Sequence, residues 1–179
     1  MKKLVLSILL LSFLPLNVLP KPLVYYNLPQ ANKSKPATDW KEYISKTGNF
    51  AVLLPPGQPV EESTPQIRVR LDQGPRTYGV ARLDGFKFAE TAQKTVDGAA
   101  DDFLNTSEGR LVDKKVLAIG GYPGASIKFQ TAEPPGTTEA RFFLVGRYMY
   151  AVIAFTRNGS SEDEANKFLN SFRLLNNKV

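Results

Sequence analysis

The chain has 179 residues and a formal net charge of +6, and it contains neither cysteine nor histidine. Without these residue types it cannot form disulfides, thiolate nucleophiles, Ser-His-Asp or Cys-His catalytic sets, or the usual zinc and copper sites. The charge is uneven: residues 1–38 hold five lysines and no acid, whereas residues 39–179 hold 18 basic and 17 acidic residues. A phosphate-binding surface needs clustered basic residues within the domain, so we expect no nucleic-acid binding.

The first 20 residues have the form of an export signal. Lys2 and Lys3 precede an apolar run that Pro15 interrupts. We therefore expect residues 1–20 to be a signal peptide or an N-terminal anchor, with export to a periplasm or thylakoid lumen. Residues 21–38 are rich in proline and lysine, which predicts a tether in peripheral contact with a membrane.

Residues 39–179 predict a single domain, which begins with short strands separated by turns. Residues 50–54 form an apolar run that Pro55 stops, because proline cannot donate to a strand ladder. We expect Trp40 to pack on this first strand. Two further strands are predicted at residues 67–71 and 77–83.

Three arginines lie within these later strands. Arg68 and Arg70 alternate with apolar residues, and Arg82 lies in the next strand. The three side chains could line one basic face that receives an acidic partner. Charges that alternate with apolar residues are also typical of the solvated side of a sheet, so both interpretations stay open.

Apolar spacing changes to that of a helix between residues 88 and 104. The recurring residues are Phe88, Ala92, Val96, Ala99 and Phe103. The opposite side of this predicted helix is acidic. Its carboxylates indicate a solvated face rather than a calcium site, since calcium needs six or more oxygens from a shaped loop.

The strongest strand signals lie between residues 116 and 156. Strands are predicted there at residues 116–119, 125–131, 141–145 and 148–155. The last two runs are apolar at consecutive positions and are hinged at Gly146-Arg147. Such runs predict strands that are covered on both faces, and therefore a sheet that lies between helices.

The first two of these strands are joined by a turn at residues 120–124. Pro123 supplies the φ that a turn requires and the flanking glycines can take positive φ. This predicts a tight connection between buried strands, or alternatively a backbone cradle for an anion or a partner's loop that includes Tyr122 and Pro123. After the last strand, Ser161 and Glu164 predict a capping box that begins a final helix.

Several stretches, taken in order, have a counterpart in known proteins. They are Trp40 leading into residues 50–59, the helix near 89–104, the turn at 120–124, residues 141–145 with Tyr148 and Tyr150, and residues 168–172. Together they resemble the PsbP-like and DcrB-like families of exported proteins. The resemblance covers about residues 39–175 and implies an α/β (α+β) fold, an antiparallel sheet sandwiched between helices in α/β/α layers.

The resemblance also implies a non-enzymatic accessory role, which in photosynthetic organisms means the lumenal side of photosystem II. Our first hypothesis is therefore an exported domain that binds a membrane protein complex and stabilises it or assists its assembly. We expect no catalytic residue, metal or cofactor. The predicted partner-binding residues are Arg68, Arg70, Arg82, Tyr122 and Pro123.

Two other hypotheses remain open. The first is a binder of a small apolar ligand or lipid between sheet and helix, through Phe88, Phe103, Tyr148 and Tyr150. The second, the least favoured, is a carboxylate-based hydrolase that would need two acids such as Asp84 and Asp97 to face each other.

Overall fold

The structure is a computed structural model that describes residues 39–64, 66–85 and 89–175. The described residues form ten strands and two helices. The strands are β1 (Lys41–Ser45), β2 (Phe50–Leu54), β3 (Val60–Glu62), β4 (Ile67–Gln73), β5 (Arg76–Leu83), β6 (Arg110–Ile119), β7 (Tyr122–Thr131), β8 (Gly136–Val145), β9 (Tyr148–Arg157) and β10 (Arg173–Leu174). The helices are α1 (Ala92–Thr106) and α2 (Asp163–Ser171).

Two antiparallel sheets organise the domain. The larger has seven strands in the order β3-β4-β5-β9-β8-β7-β6, and the smaller has three in the order β1-β2-β10. Helix α1 covers one face of the larger sheet, while α2 and the smaller sheet cover the other. The predicted antiparallel sheet between helices is confirmed. The smaller sheet is a feature that the sequence did not predict.

The larger sheet carries a separate hydrophobic core on each face. The core beneath α1 contains Phe103 and Phe142, and the core beneath α2 contains Tyr150 and Phe168; all four are fully buried or nearly so. Strands β8 and β9 contribute to both cores because their successive side chains point to opposite faces. The prediction that these two strands are covered on both sides is therefore confirmed.

The connection between β6 and β7 is shorter than predicted. It consists of Gly120 and Gly121 alone, both with positive φ, and Ile119 pairs directly with Tyr122. Two positive-φ residues are what a two-residue hairpin turn requires. Tyr122 and Pro123 accordingly belong to β7, and Pro123 lies just before the point where pairing with β8 begins.

Strand β6 is also different from the prediction. The apolar content of residues 116–119 predicts a buried strand with a charged entry before it. These residues are instead the end of a ten-residue strand that forms the edge of the larger sheet and is mostly exposed. Only Leu117 and Ile119 of this strand pack against a core.

Both helices begin slightly differently from the prediction. Helix α1 starts at Ala92. The Thr91 side chain caps it by accepting a hydrogen bond from the backbone N–H of Lys94 at 3.1 Å. Phe88, which was predicted to begin the apolar stripe, lies outside the described residues. In α2 the predicted capping box is absent: the Ser161 hydroxyl accepts from the Asp163 N–H instead. Glu164 forms an ion pair with Arg76 of β5.

The smaller sheet joins the two ends of the described chain. Strands β1 and β10 pair with opposite edges of β2, and the Ser45 hydroxyl donates to Glu61 of β3 at 3.0 Å. Trp40, immediately before β1, packs against the core beneath α2. None of the described helices has the length and apolar character that crossing a bilayer demands.

Candidate functional site

The most unusual surface of the domain is the edge that β6 forms. Six large apolar side chains are exposed in the described part of the chain, and four of them lie on the β6–β7 hairpin. They are Leu111, Val112, Val116 and Tyr122, and we call this set the β6 edge. Val116 is 72% exposed. Edge strands are usually short or strongly charged, so a long edge with apolar side chains indicates a surface that a partner covers.

Strand pairing determines which way these side chains point. Leu111 lies opposite Phe129 and Val116 lies opposite Ala125, and both partners belong to the core beneath α1. Residues directly opposite each other share a face, so Leu111 and Val116 lie on the α1 side of the sheet. A bulge between Leu111 and Asp113 interrupts the pairing and places Val112 at the edge.

Charged side chains surround the apolar residues of this edge. Lys114 pairs with Asp101 of α1 at 2.6 Å, and Lys115 pairs with Asp113 at 2.5 Å. Hydrogen bonding to Lys115 lowers the pKa of the Asp113 carboxyl, and the same pair raises the pKa of the lysine. The edge is therefore an apolar stripe within a network of exposed ion pairs.

Two predicted partner-binding residues lie at one end of this stripe, and one of them, Tyr122, belongs to it. Tyr122 and Pro123 follow the Gly120-Gly121 turn at the tip of the hairpin. Tyr122 is 38% exposed and Pro123 is partly buried. The structure thus brings both residues to the end of the β6 edge, within a strand rather than within a turn.

The three predicted arginines do not form one face. Arg68 and Arg70 lie opposite Ala81 and Gly79, whereas Arg82 lies opposite the buried Ile67. Register therefore places Arg82 on the α2 side of the sheet and the other two on the α1 side. The prediction of one surface formed by all three arginines is therefore wrong. Ile67 and the alternate residues of β4 after it pack in the core beneath α2, so Arg68 and Arg70 point to the other face.

Each of these arginines has a nearby carboxylate. Arg68 pairs with Glu62 at 2.5 Å, Arg70 pairs with Asp72 at 2.9 Å, and Arg82 lies 3.5 Å from Asp84. The Arg82 guanidinium also donates to the Thr47 carbonyl and lies over the Tyr148 ring. Arg82 thus contacts the turn before β2, and its part in binding a partner stays a prediction.

A cleft of about 740 Å³ lies on the α2 side, between the start of α2 and the β4–β5 turn. Its apolar lining comes from Trp40 and three prolines, and its polar lining from the side chains of Gln73, Arg76, Asp163, Glu164 and Lys167. Arg76 and Glu164 form an ion pair at 2.9 Å, and the Lys167 ammonium lies 4.7 Å from the centre of the Trp40 ring.

The residues predicted to hold an apolar ligand are not together. Phe103 belongs to the core beneath α1, while Tyr150 belongs to the core on the other face of the sheet. The Tyr150 hydroxyl donates to the Gly48 carbonyl at 3.0 Å, which fixes the ring in the second core. One cavity cannot use both side chains, because the sheet separates them.

The acidic residues named as a possible hydrolytic pair are engaged separately. Asp97 accepts a hydrogen bond from Gln93, and Asp84 lies beside Arg82. Across residues 39–64, 66–85 and 89–175, no three carboxylates gather as metal ligands would.

Two fully buried tyrosines of the core beneath α2 have perturbed acidity. Burial raises the pKa of the Tyr78 hydroxyl above its ordinary value, and the charge of Glu164 raises it further. Burial likewise raises the pKa of Tyr150, although Arg82 opposes the shift. Neither phenol is poised to lose a proton near neutral pH, so neither is suited to act as a base.

These shifts predict alkaline destabilisation. The ordinary tyrosine pKa is 10.0, and below that value both the folded and the unfolded chain keep their phenol protons. As the pH rises above it, the unfolded chain releases protons that the folded chain retains, so the free energy of unfolding should fall. Urea unfolding at about pH 8 and about pH 11 measures the difference.

The control for this experiment is the double variant Tyr78→Phe, Tyr150→Phe. It should lose less stability between the two pH values than the unmodified chain loses. An equal loss in both proteins would show that these phenols are not the cause.

Comparison with known proteins supports the fold. The solution structure of cyanobacterial PsbP (CyanoP) from Synechocystis matches with a TM-score of 0.54 at 11% sequence identity, over 83% of this chain and 98% of that protein. At this identity the match shows the fold alone. The chain therefore has a PsbP-like α+β fold, as the sequence resemblance implied.

Two other solved structures are similar at TM-scores of 0.49. One is a Bacteroides thetaiotaomicron protein at 16% identity, covering 75% of this chain and 48% of that protein, so this chain spans about half its length. The other is a Pseudomonas aeruginosa protein of unknown function, considered a regulator, at 12% identity over 78% of this chain and 99% of that one. No protein-family model matches the sequence. No curated protein matches it either.

Sequence reasoning predicted Tyr122 of the β6 edge but missed Leu111, Val112 and Val116, and it missed the cleft. It places Val116 in a buried strand, because an apolar run looks the same at the edge of a sheet and at its centre. The charges of Lys114 and Lys115 are the available signal, since a strand buried on both faces rarely carries two adjacent lysines. The prediction that Trp40 packs against the domain is confirmed. The cleft beside Trp40 was not predicted, because its walls come from segments that are distant in the sequence.

Proposed function

We propose that this protein is a non-enzymatic accessory domain that binds a membrane-associated protein complex and assists its assembly or stability. In a photosynthetic organism that complex would be photosystem II. The PsbP-like fold supports this proposal, and so does the lack of cysteine and histidine in the whole sequence. In this proposal residues 1–38 direct export and tether the domain at the membrane.

The observation that carries the proposal is the β6 edge. An apolar surface that remains in contact with water costs free energy, roughly 25 cal/mol for each Å² that a partner could cover. Evolution usually protects the edge of a sheet with charges or short strands, and the opposite edge strand of this sheet, β3, has only three residues. The ten-residue β6 is suited to receive an added strand.

The chemistry of β6 defines the partner segment. Arg110, Lys114 and Lys115 outnumber the single acid Asp113, so a segment with acidic residues suits the edge. Apolar side chains at alternate positions of that segment would cover the exposed apolar residues of β6. Tyr122 and Pro123, at the hairpin tip, would contact the residues beyond the end of the added strand.

Co-purification from native membranes tests the proposal. A tagged full chain should recover a membrane protein complex, and Val116→Lys should reduce recovery at least about tenfold because it places a charge that must be desolvated in the apolar stripe that the partner would cover. The variant should fold normally, since an exposed substitution changes stability by roughly 0.5 kcal/mol or less.

The matched control is Val60→Lys. Val60 is 61% exposed on β3, at the opposite edge of the same sheet, so this variant introduces the same charge without touching β6. It should retain the partner. Recovery of the unmodified chain only as a free monomer would contradict the proposal, and equal recovery with Val116→Lys would contradict the role of β6.

A further inference from the structure

The cleft beside α2 has features that the accessory role does not use. It lies on the α2 side of the larger sheet, whereas the exposed apolar residues of β6 lie on the α1 side or at the edge. We propose that this cleft binds an extended, proline-containing segment of a partner protein. The inference does not depend on the β6 proposal and can fail or succeed separately.

The apolar part of the cleft is rigid and aromatic. Trp40 is held by an edge-to-face contact with Tyr78, with ring centres 5.8 Å apart, and prolines at 55, 56 and 75 flank it. Proline has a fixed φ and no backbone N–H, so these walls keep their shape without needing hydrogen-bond partners. A preformed aromatic groove is the usual receptor for polyproline II segments.

The polar part of the cleft offers a donor at its aromatic wall. The indole N–H of Trp40 can donate to a carbonyl oxygen of a bound segment. A proline-containing segment offers carbonyl acceptors and few N–H groups, so its backbone complements such a wall.

The charges around the cleft favour a neutral ligand. Arg76 and Lys167 contribute two positive charges, and Asp163 and Glu164 contribute two negative charges. A polyanion or polycation would therefore gain little there. The Lys167 ammonium covers one face of the Trp40 ring, and this exposed contact is weak enough for a proline ring to replace it.

The single tryptophan of the chain makes the test direct. A polyproline peptide should produce a saturable change in Trp40 fluorescence and should shift the Trp40 indole N–H resonance in the NMR spectrum of the full chain. A Gly-Ser peptide of the same length should do neither. An unmoved indole resonance, or an equal response to both peptides, would overturn the inference.

Calorimetry on three variants tests which side chains bind the polyproline peptide. Trp40→Leu should weaken polyproline binding at least about tenfold, because buried aromatic side chains dominate such interfaces. Lys167→Ala should bind several-fold more tightly, since the ring face is then free. Val116→Lys should bind as the unmodified chain does, which separates this surface from the β6 edge.

The chain also contains a proline-rich stretch of its own. A peptide of residues 20–38 should bind no more tightly than polyproline does. If only that peptide binds, the cleft serves the chain's own tether and the proposal of a partner segment is wrong.

Discussion

Replacing Phe142 by alanine should lower the free energy of unfolding by about 3–5 kcal/mol. The ring is completely buried in the core beneath α1, and it packs against Phe103 with ring centres 5.7 Å apart at an interplanar angle of 64°. Its removal loses apolar burial and an edge-to-face contact, and it leaves a cavity that the sheet cannot close. Domains of this size are usually stable by roughly 5–15 kcal/mol, so the loss is a large fraction.

Two probes in one urea titration check this prediction. Circular dichroism follows the sheet and helices, and Trp40 fluorescence reports on the core of the opposite face. Because both cores share one sheet, the two transitions should move together to lower urea. Val116→Ala, at an exposed position, should change stability by less than about 0.5 kcal/mol. A loss below about 1 kcal/mol for Phe142→Ala would contradict this description of the core.

Replacing Gly136 by alanine should cost roughly 1–3 kcal/mol through overpacking. A Cβ at this position would lie 2.4 Å from the Phe155 ring and 2.6 Å from the backbone carbonyl oxygen of Thr156. The ring could rotate slightly, but the carbonyl belongs to β9 and is fixed by the sheet. The glycine is therefore required by the close approach of β8 and β9.

The control is the same substitution in a place with free space. Gly98 lies on the exposed side of α1, and a Cβ added there would meet no atom of another part of the domain within 4 Å. Gly98→Ala should stabilise the chain by about 0.5–1 kcal/mol, because alanine favours a helix interior. Opposite signs for the two variants in urea unfolding would confirm that space, and not the loss of glycine itself, decides the result.

Local patterns predict the layers of this fold well. The consecutive apolar residues of β8 and β9 indicate strands covered on both faces, and the spacing from Val96 to Phe103 indicates a helix that packs by one stripe. These signals are local because burial on both faces, or on one helical face, leaves a period in the sequence.

The order of strands within the sheet leaves no such trace. Nothing in the apolar content of residues 110–119 distinguishes a central strand from an edge strand, so Val116 is predicted to be buried although it is exposed. The face of Arg82 is a different case. Tyr78 and Val80 are the large apolar residues that share the parity of Arg82, whereas Arg68 alternates with the apolar residues of β4. This pattern in the sequence is enough to place Arg82 and Arg68 on opposite faces.

The cleft cannot be predicted from local patterns because its walls come from four separate segments. Trp40 precedes β1, its proline neighbours follow β2 and end the β4–β5 turn, and its charged side chains lie at the start of β5 and in α2. Their meeting depends on how the smaller sheet lies over the larger one. The pairing of β2 with β10 fixes that arrangement, and no local periodicity signals a pairing between strands so distant along the chain.

The pairing of β2 with β10 has a consequence for how the polypeptide matures. Strands β4 to β9 form mainly from hairpins between chain neighbours, which can assemble as they emerge from a ribosome. Strand β2 must wait for Arg173 and Leu174, which emerge late, and for Phe172, whose ring stacks on Phe143 at 5.8 Å. Until then the apolar side of β2 stays open to chaperones and proteases, so premature truncation before Phe172 should be detected by cellular quality control.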